Sequence, residues 1–246
     1  MTEDRSVLTR PAGPPAETVA WGAQADQVAD IRFGGDAAAA RPLVCIVHGG
    51  FWRPEYDRLH TAPMAEALAA SGWTVASLEY RRIPGNPDAT LEDVGVALRK
   101  LPASVSRHNG SVIALGHSAG GHLALWAASH LGAGELAGAV ALGAAADLQL
   151  AFDLGLGDGA AEAFLGGHPA SRPDVDPCRM KSPTVPVTLI HGEEDEIVPV
   201  SLSESYARRH AAARLVKLPA AGHFALIDPL SDAWPVVIAE ISRCSA

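Results

Sequence analysis

Ser118 stands at the centre of Gly116-His117-Ser118-Ala119-Gly120, and the apolar run Val112–Leu115 leads into it. A segment with helical apolar spacing (Leu123, Ala124, Trp126, Ala127) follows at once. The pattern predicts a buried strand, a sharp turn and a helix over 120–130. A serine at such a tip holds a strained backbone conformation and points its hydroxyl out of the sheet. Gly116 and Gly120 spare the side chains that would collide there. The helix then begins under the serine, so its free amides and positive end face the hydroxyl. An ordinary strand-to-helix turn could carry the same five residues by chance, so their surroundings decide.

A serine hydroxyl is a weak nucleophile at neutral pH. It needs a base within hydrogen-bond reach, and the base needs an acid to orient it. The chain has ten histidines. His117 and His122 flank the serine, and the elbow is expected to point them elsewhere. His60, His108, His130, His168 and His210 fall in or beside helices and loops with no acid suitably placed. His223, in Ala220-Ala221-Gly222-His223-Phe224, lies downstream of an acidic loop and is the best candidate base. In that acidic loop Glu193, Glu194, Asp195 and Glu196 all qualify by position as the orienting acid. A third requirement is a set of amides for a developing oxyanion. His48-Gly49-Gly50-Phe51-Trp52 follows an apolar run, and its glycines let the backbone turn its amides towards a ligand. The amides of Gly50 and Phe51 would join that of Ala119. A plain turn is the alternative reading. His48 is expected to fix the loop, Phe51 and Trp52 to line a pocket, and Trp52 equally to be a packing anchor.

These residues need a scaffold that brings them to one edge. Val28–Phe33 alternates weakly, and Leu43–Val47 is a continuous apolar run of the kind found in strands covered on both faces. A helix over 61–71 stopped by Gly72, a strand over 73–78 and a helix opening at Thr90 follow. Further strands are expected at 139–142, 187–190 and 215–218, with helices over 202–212 and 234–241. Tyr80 and the arginines beside it are expected to hold loops together. Strands separated by helices mean an α/β fold, a mostly parallel sheet with helices on both faces. In such a sheet ligands bind at the carboxyl ends of the strands. Residues 1–17, rich in proline, read as a loose leader. Residues 148–183 break the rhythm with glycines and prolines and read as a small cap insertion, with Phe152, Leu154, Phe164 and Leu165 as candidate pocket walls. Gly155-x-Gly157-x-Gly159 does not follow a strand as a dinucleotide site requires.

The totals narrow the function class. The chain has 246 residues, a net charge of −9 and 48% hydrophobic content, which suits a single α/β domain spanning 1–246. The acidic balance disfavours nucleic acid and anionic membrane as partners. Cys45, Cys178 and Cys244 are far apart, which disfavours a disulfide framework or a zinc site and suggests a reducing compartment. No signal-peptide pattern opens the sequence and no apolar run is long enough to span a bilayer, so a cytoplasmic location is the expectation.

Four motifs together resemble the α/β-hydrolase esterase superfamily: Gly-His-Ser-Ala-Gly-Gly-His (116–122), His-Gly-Gly-Phe-Trp (48–52), His-Gly-Glu-Glu-Asp-Glu-Ile-Val-Pro (191–199) and Gly-His-Phe (222–224). The resemblance covers roughly residues 28–242. It implies the α/β-hydrolase fold and Asp195 as the acid, in the order Ser118, Asp195, His223. Glu193, Glu194 and Glu196 then become solvated neighbours. Two branches fit. One is the small carboxylesterases that resemble the hormone-sensitive-lipase group, which Tyr80-Arg81 echoes, although Phe51 stands where their third loop glycine would be. The other is the kynurenine formamidase-like branch, whose His-Gly-Gly-aromatic-Trp loop is similar to 48–52. Both imply a serine hydrolase acting without metal or organic cofactor on a small-molecule ester or amide, with an ester preferred over a formamide. A homodimer is a further option. Trp52, Phe152, Phe164 and Phe224 are the expected substrate contacts. The rival outside this class is a non-catalytic ligand-binding protein on the same fold.

Overall fold

The apolar runs of the sequence become the middle of one eight-stranded sheet. The structure, a computed structural model, describes residues 3–244. Two outer strands come first, β1 (Glu17–Ala20) and β2 (Val28–Arg32). The alternation then settles as β3 (Leu43–Val47), α1 (Ala62–Ala70), β4 (Val75–Leu78), α2 (Pro87–Ser104), β5 (Val112–His117), α3 (Ala119–His130) and β6 (Gly138–Leu142). After two short helices, α4 (Leu148–Asp153) and α5 (Leu156–Leu165), it resumes with β7 (Val187–Gly192), α6 (Ser201–Arg209), β8 (Arg214–Leu218) and α7 (Trp234–Arg243). The strand order is β1-β2-β4-β3-β5-β6-β7-β8. The β1–β2 and β2–β4 pairs are antiparallel and every other pair is parallel. This is the α/β-hydrolase fold that the motifs imply.

Strand periodicity divides the core. Val44, Ile46, Ile113, Leu115, Val140 and Leu142 face one apolar layer, and their neighbours Leu43, Cys45, Val47, Val112, Ala114 and Ala139 face the other. A strand covered on both faces has no polar side, which is why β3, β5, β6 and β7 are buried along their whole length. Among the described residues, no helix is long and apolar enough to cross a membrane.

The structure departs from the sequence reading in three places. The leader is not loose over its described part; residues 1 and 2 lie outside the described residues. Ser6–Thr9 forms a 3-10 turn that buries Val7, and Arg10 makes a two-pronged ion pair with Asp228, 218 residues away. The leader's last residue opens β1, a strand with little apolar pattern because only Val19 is partly covered. Helix α2 begins three residues before the expected Thr90. Pro87 marks its first turn, where a missing N–H costs nothing, and the Asn86 side chain accepts a hydrogen bond from the Ala89 amide.

Residues 148–183 carry α4 and α5 over the carboxyl edge of β5 and β6. Asp147 caps α4 by accepting from the Leu150 amide at 2.9 Å. Buried Asp176 accepts from the amides of Leu148 and Cys178 and so ties the returning segment to the start of α4. Between Gly155 and Gly159 four residues, Gly155, Gly157, Asp158 and Gly159, have positive φ. The Gly-x-Gly-x-Gly stretch is therefore a left-handed turn within the insertion.

Candidate active site

Ser118 sits between the end of β5 and the start of α3 with φ 57° and ψ −119°, a conformation an L-residue holds only when its surroundings enforce it. Three contacts do so. The Ser118 amide donates to the Leu142 carbonyl at 2.8 Å, and the Ser118 carbonyl accepts from the amides of His122 and Ala145, each at 3.2 Å. The spelling around it follows from sterics. A Cβ on Gly116 would lie 2.0 Å from the Gly120 carbonyl oxygen, and one on Gly120 would lie 2.0 Å from that of Val47. The turn thus packs backbone on backbone, and no residue but glycine fits at those two positions.

His223 reaches the same place from the loop after β8. Its Nδ1 lies 2.6 Å from Asp195 Oδ2. A carboxylate can only accept, so Nδ1 carries the proton and Nε2 is left with its lone pair. Asp195 is the buried member of the four-acid run, while Glu193, Glu194 and Glu196 are exposed. Its other oxygen accepts from the amides of Ile197 and Val198 at 2.9 and 2.7 Å. Burial works to raise the Asp195 pKa. The neighbouring His191 and His223 and the Val198 amide outweigh it and hold the carboxyl well below its ordinary value. The group is therefore an anion throughout the neutral range.

The glycine loop after β3 faces Ser118. Gly50, Phe51 and Trp52 have φ of 111°, 54° and 55°, which turns the chain back over the elbow. Among the described residues, no acceptor takes the amides of Gly50 or Phe51. Ala119 is the first residue of α3, where amides have no partner within the helix. Behind the loop, His48 is fully buried; its Nδ1 lies 2.8 Å from the Gly49 carbonyl and its Nε2 3.1 Å from Glu79. The Tyr80 hydroxyl donates to the His48 carbonyl at 2.7 Å, and the Tyr80 ring stacks on the His48 ring. Glu79 also takes the Arg58 amide and pairs with Arg82. Arg81 holds Asp93 of α2. His48, Glu79, Tyr80 and Arg82 thus brace the loop from below and stay out of the cavity.

Two openings meet at Ser118. The larger, of about 250 Å³, is lined by Ser118, His223, His117, Phe224, Phe51 and Tyr56, with Arg5, Leu8, Glu55, Asp57 and His60 around them. The smaller, of about 10 Å³, runs beneath α4 and α5 past Ala119 and Trp52. Of the expected substrate contacts, Phe224 lines the first and Trp52 the second. Trp52 is also an anchor, as its Nε1 donates to His122 at 3.2 Å and its ring stacks on Phe164 at 4.8 Å. Phe164 stands behind Trp52, and Phe152 packs on His168; neither lines either opening. Ring contacts with Trp52 and His168 take up these two side chains instead.

Sequence reasoning missed two parts of this site. His117 does not point away: its ring lies 4.5 Å from that of His223, and its Nε2 is 3.1 Å from the His223 carbonyl. Burial, with His223 and His60 nearby, pushes its pKa well below the ordinary value, so it is a neutral donor that steadies the His223 backbone. The second part is the leader. The Glu3 carboxylate accepts from the His223 amide at 2.7 Å, the Arg5 guanidinium lies over Phe224, and Leu8 closes the wall. No motif announces contacts between residues 3–8 and 223–224.

With this geometry in hand, comparison with known proteins adds the following. A family model described as serine hydrolase matches residues 91–243, and one described as BD-FAE matches residues 29–149. Esterase LipC of Mycobacterium tuberculosis is 26% identical over 243 residues, covering 83% of this chain and 60% of LipC. This chain therefore spans 60% of the length of that curated relative. A truncated carbohydrate esterase from gut microbiota matches with a TM-score of 0.75 at 19% identity, covering 95% of this chain and 99% of that one. An acetyl ester-xyloside bifunctional hydrolase from Caldicellulosiruptor lactoaceticus matches with a TM-score of 0.74 at 21% identity, covering 94% and 96%. At these identities the structural likeness is one of fold.

Proposed function

The chain belongs to the serine hydrolase family, and on that premise we propose that it is a carboxylesterase whose triad is Ser118, His223 and Asp195. The observation that carries this reading is a conjunction. A serine strained to positive φ at a helix start shares a cavity with a histidine whose far nitrogen is fixed by a buried, low-pKa carboxylate. The name of LipC, an esterase, supports an ester as substrate.

The steps follow from the geometry. His223 Nε2 takes the Ser118 hydroxyl proton as Oγ bonds to the ester carbonyl carbon. The carbonyl oxygen becomes an oxyanion held by the amides of Gly50, Phe51 and Ala119. As the carbon–oxygen bond to the alcohol breaks, His223 returns the proton to the departing oxygen, leaving an acyl group on Ser118. A water, deprotonated by His223, attacks that acyl group; the acid leaves and the proton returns to Oγ. Asp195 keeps the imidazole in the tautomer that both halves need. The residues themselves supply every proton and every bond partner except the water and the ester. A cytoplasmic, small-molecule hydrolase fits this chemistry and the acidic surface.

The test is reaction of purified protein with a fluorophosphonate probe beside turnover of p-nitrophenyl acetate and N-formylkynurenine, with Ser118→Ala as control. Stoichiometric labelling and ester turnover, both lost in the variant, are the expected result. Preference for N-formylkynurenine would move the chain to the formamidase branch. Neither labelling nor turnover would leave a ligand-binding protein and refute the proposal.

A further inference from the structure

The two openings at Ser118 differ in kind. In an acyl transfer the reacting carbon carries the serine oxygen, the oxyanion, the acyl substituent and the leaving group, so two pockets must receive the last two. The leaving group has to lie beside the histidine that protonates it. His223 lines the 250 Å³ cavity and is absent from the lining of the 10 Å³ crevice. Both openings touch the oxyanion set, the cavity at Gly50 and Phe51 and the crevice at Phe51 and Ala119; with the leaving group beside His223 in the cavity, the crevice is left for the acyl substituent.

Its size then limits that substituent. A cavity of roughly 10–15 Å³ holds one water-sized group, and the crevice offers about 10 Å³. Its walls are Ala145, Ala151, Leu156, Ala160, Ala161 and Val198. Most of these are already alanine, so their rotamers cannot open more room. Ala145, Ala151, Ala160, Ala161 and Val198 are buried and held by the core. Phe51 lines both openings and forms the partition between them. Its ring is wedged against Gly157, where a Cβ would lie 2.5 Å from ring carbons, and Arg53 reaches over that ring to the Gly157 carbonyl. The left-handed turn at 155–159 thereby acquires a purpose: it brings backbone, with no side chain, against the partition and places Leu156 in the crevice.

The geometry points to an enzyme restricted to acyl groups of one or two carbons, formyl or acetyl, carried on a bulky leaving group. This rests on the esterase reading above and adds its substrate class. The leaving-group cavity is large and mainly apolar, with aromatic walls at Phe51, Tyr56 and Phe224 and the polar groups of Arg5, Glu55 and Asp57 among them. It suits an alcohol or amine with an apolar or aromatic body that also carries polar groups.

The test is kcat/KM for p-nitrophenyl acetate, propionate, butyrate and hexanoate at equal leaving group, with wild type, Leu156→Ala and Ser118→Ala, and fluorophosphonate labelling alongside. A methylene that does not fit is worth about 10–200-fold, so acetate is expected to exceed propionate at least about tenfold and hexanoate to be inert. Leu156→Ala, which trims a partly exposed wall, is expected to raise the butyrate-to-acetate ratio about tenfold or more. A flat profile, or one rising towards butyrate or hexanoate, and dependent on Ser118, would overturn the acyl limit and leave the esterase standing. An unchanged ratio in Leu156→Ala would overturn the assignment of the crevice. Absence of turnover together with absence of labelling at Ser118 would overturn both readings at once.

Discussion

Glu79→Gln separates a loop held by charge from one held by shape. Glu79 is 4% exposed and joins His48, the Arg58 amide and Arg82 beneath the oxyanion loop. Burial by itself would raise its pKa, but the His48 contact, Arg82 and the Arg58 amide more than reverse this and bring it from 4.5 down to about 2. The folded protein thus binds this proton less tightly than the unfolded chain. The stabilisation is complete above about pH 4.5 and is lost as pH falls towards 2. At about 1.36 kcal/mol per pKa unit the shift corresponds to roughly 3 kcal/mol, and screening by nearby solvent reduces it to about 2. Glutamine keeps the outline, removes the charge and leaves the Arg82 guanidinium, only 6% exposed, without its carboxylate. Urea unfolding at pH 7 is expected to place the variant about 2 kcal/mol below wild type, and near pH 3.5 the gap is expected to narrow to about 1 kcal/mol. Turnover of p-nitrophenyl acetate at pH 7 should fall as the Gly50 and Phe51 amides lose their brace, by up to the roughly 10²-fold that one oxyanion donor supplies. A stability gap of equal size at both pH values, or none at pH 7, would refute the electrostatic account of the loop.

Three further outcomes are expected. Asp195→Asn leaves His223 free to take the wrong tautomer, so kcat on p-nitrophenyl acetate should drop about 10⁴-fold with KM little changed; a loss under tenfold would remove Asp195 from the triad. Gly120→Ala places a methyl 2.0 Å from the Val47 carbonyl oxygen, and thermal unfolding should show a protein weakened by about 3 kcal/mol or more, or one that does not fold; near-normal stability and activity would mean that the elbow is looser than its contacts imply. Arg10→Ala breaks the pair with Asp228 that pins the leader. The global cost should be small, as for an ion pair near the surface. Because Arg5 and Leu8 wall the leaving-group cavity, KM for esters of bulky alcohols should rise severalfold, with faster proteolytic cleavage ahead of β1. Unchanged KM and unchanged cleavage would show that the leader plays no part in the site.

The amino-acid sequence alone determined the elbow, the glycine loop after β3, the order of the strands from β2 onward and the loop that carries His223. Each of these is a local demand of the backbone. Gly116 and Gly120 are there because carbonyls lie 2.0 Å from where a Cβ would be, and an unbroken apolar run such as Leu43–Val47 is what a strand covered on both faces must be. Requirements of that kind act over a few residues and leave their mark in residue type. Among the four acids after β7, position left the choice open and the family pattern supplied Asp195; in the fold, burial singles out the same residue, because only it turns inward beside His191 and His223. Tertiary structure alone decided the rest. His117 lies next to His223, Glu3 holds the His223 amide, and Phe164 backs Trp52 rather than facing the site. The division of the cavity by Phe51 against Gly157 belongs here too. These contacts join residues about 100 to 220 positions apart, as the 220-residue span from Glu3 to His223 illustrates. They depend on which side chains meet when the leader, the insertion and the sheet edge close on one another, and apolar or acidic character by itself does not specify the partner.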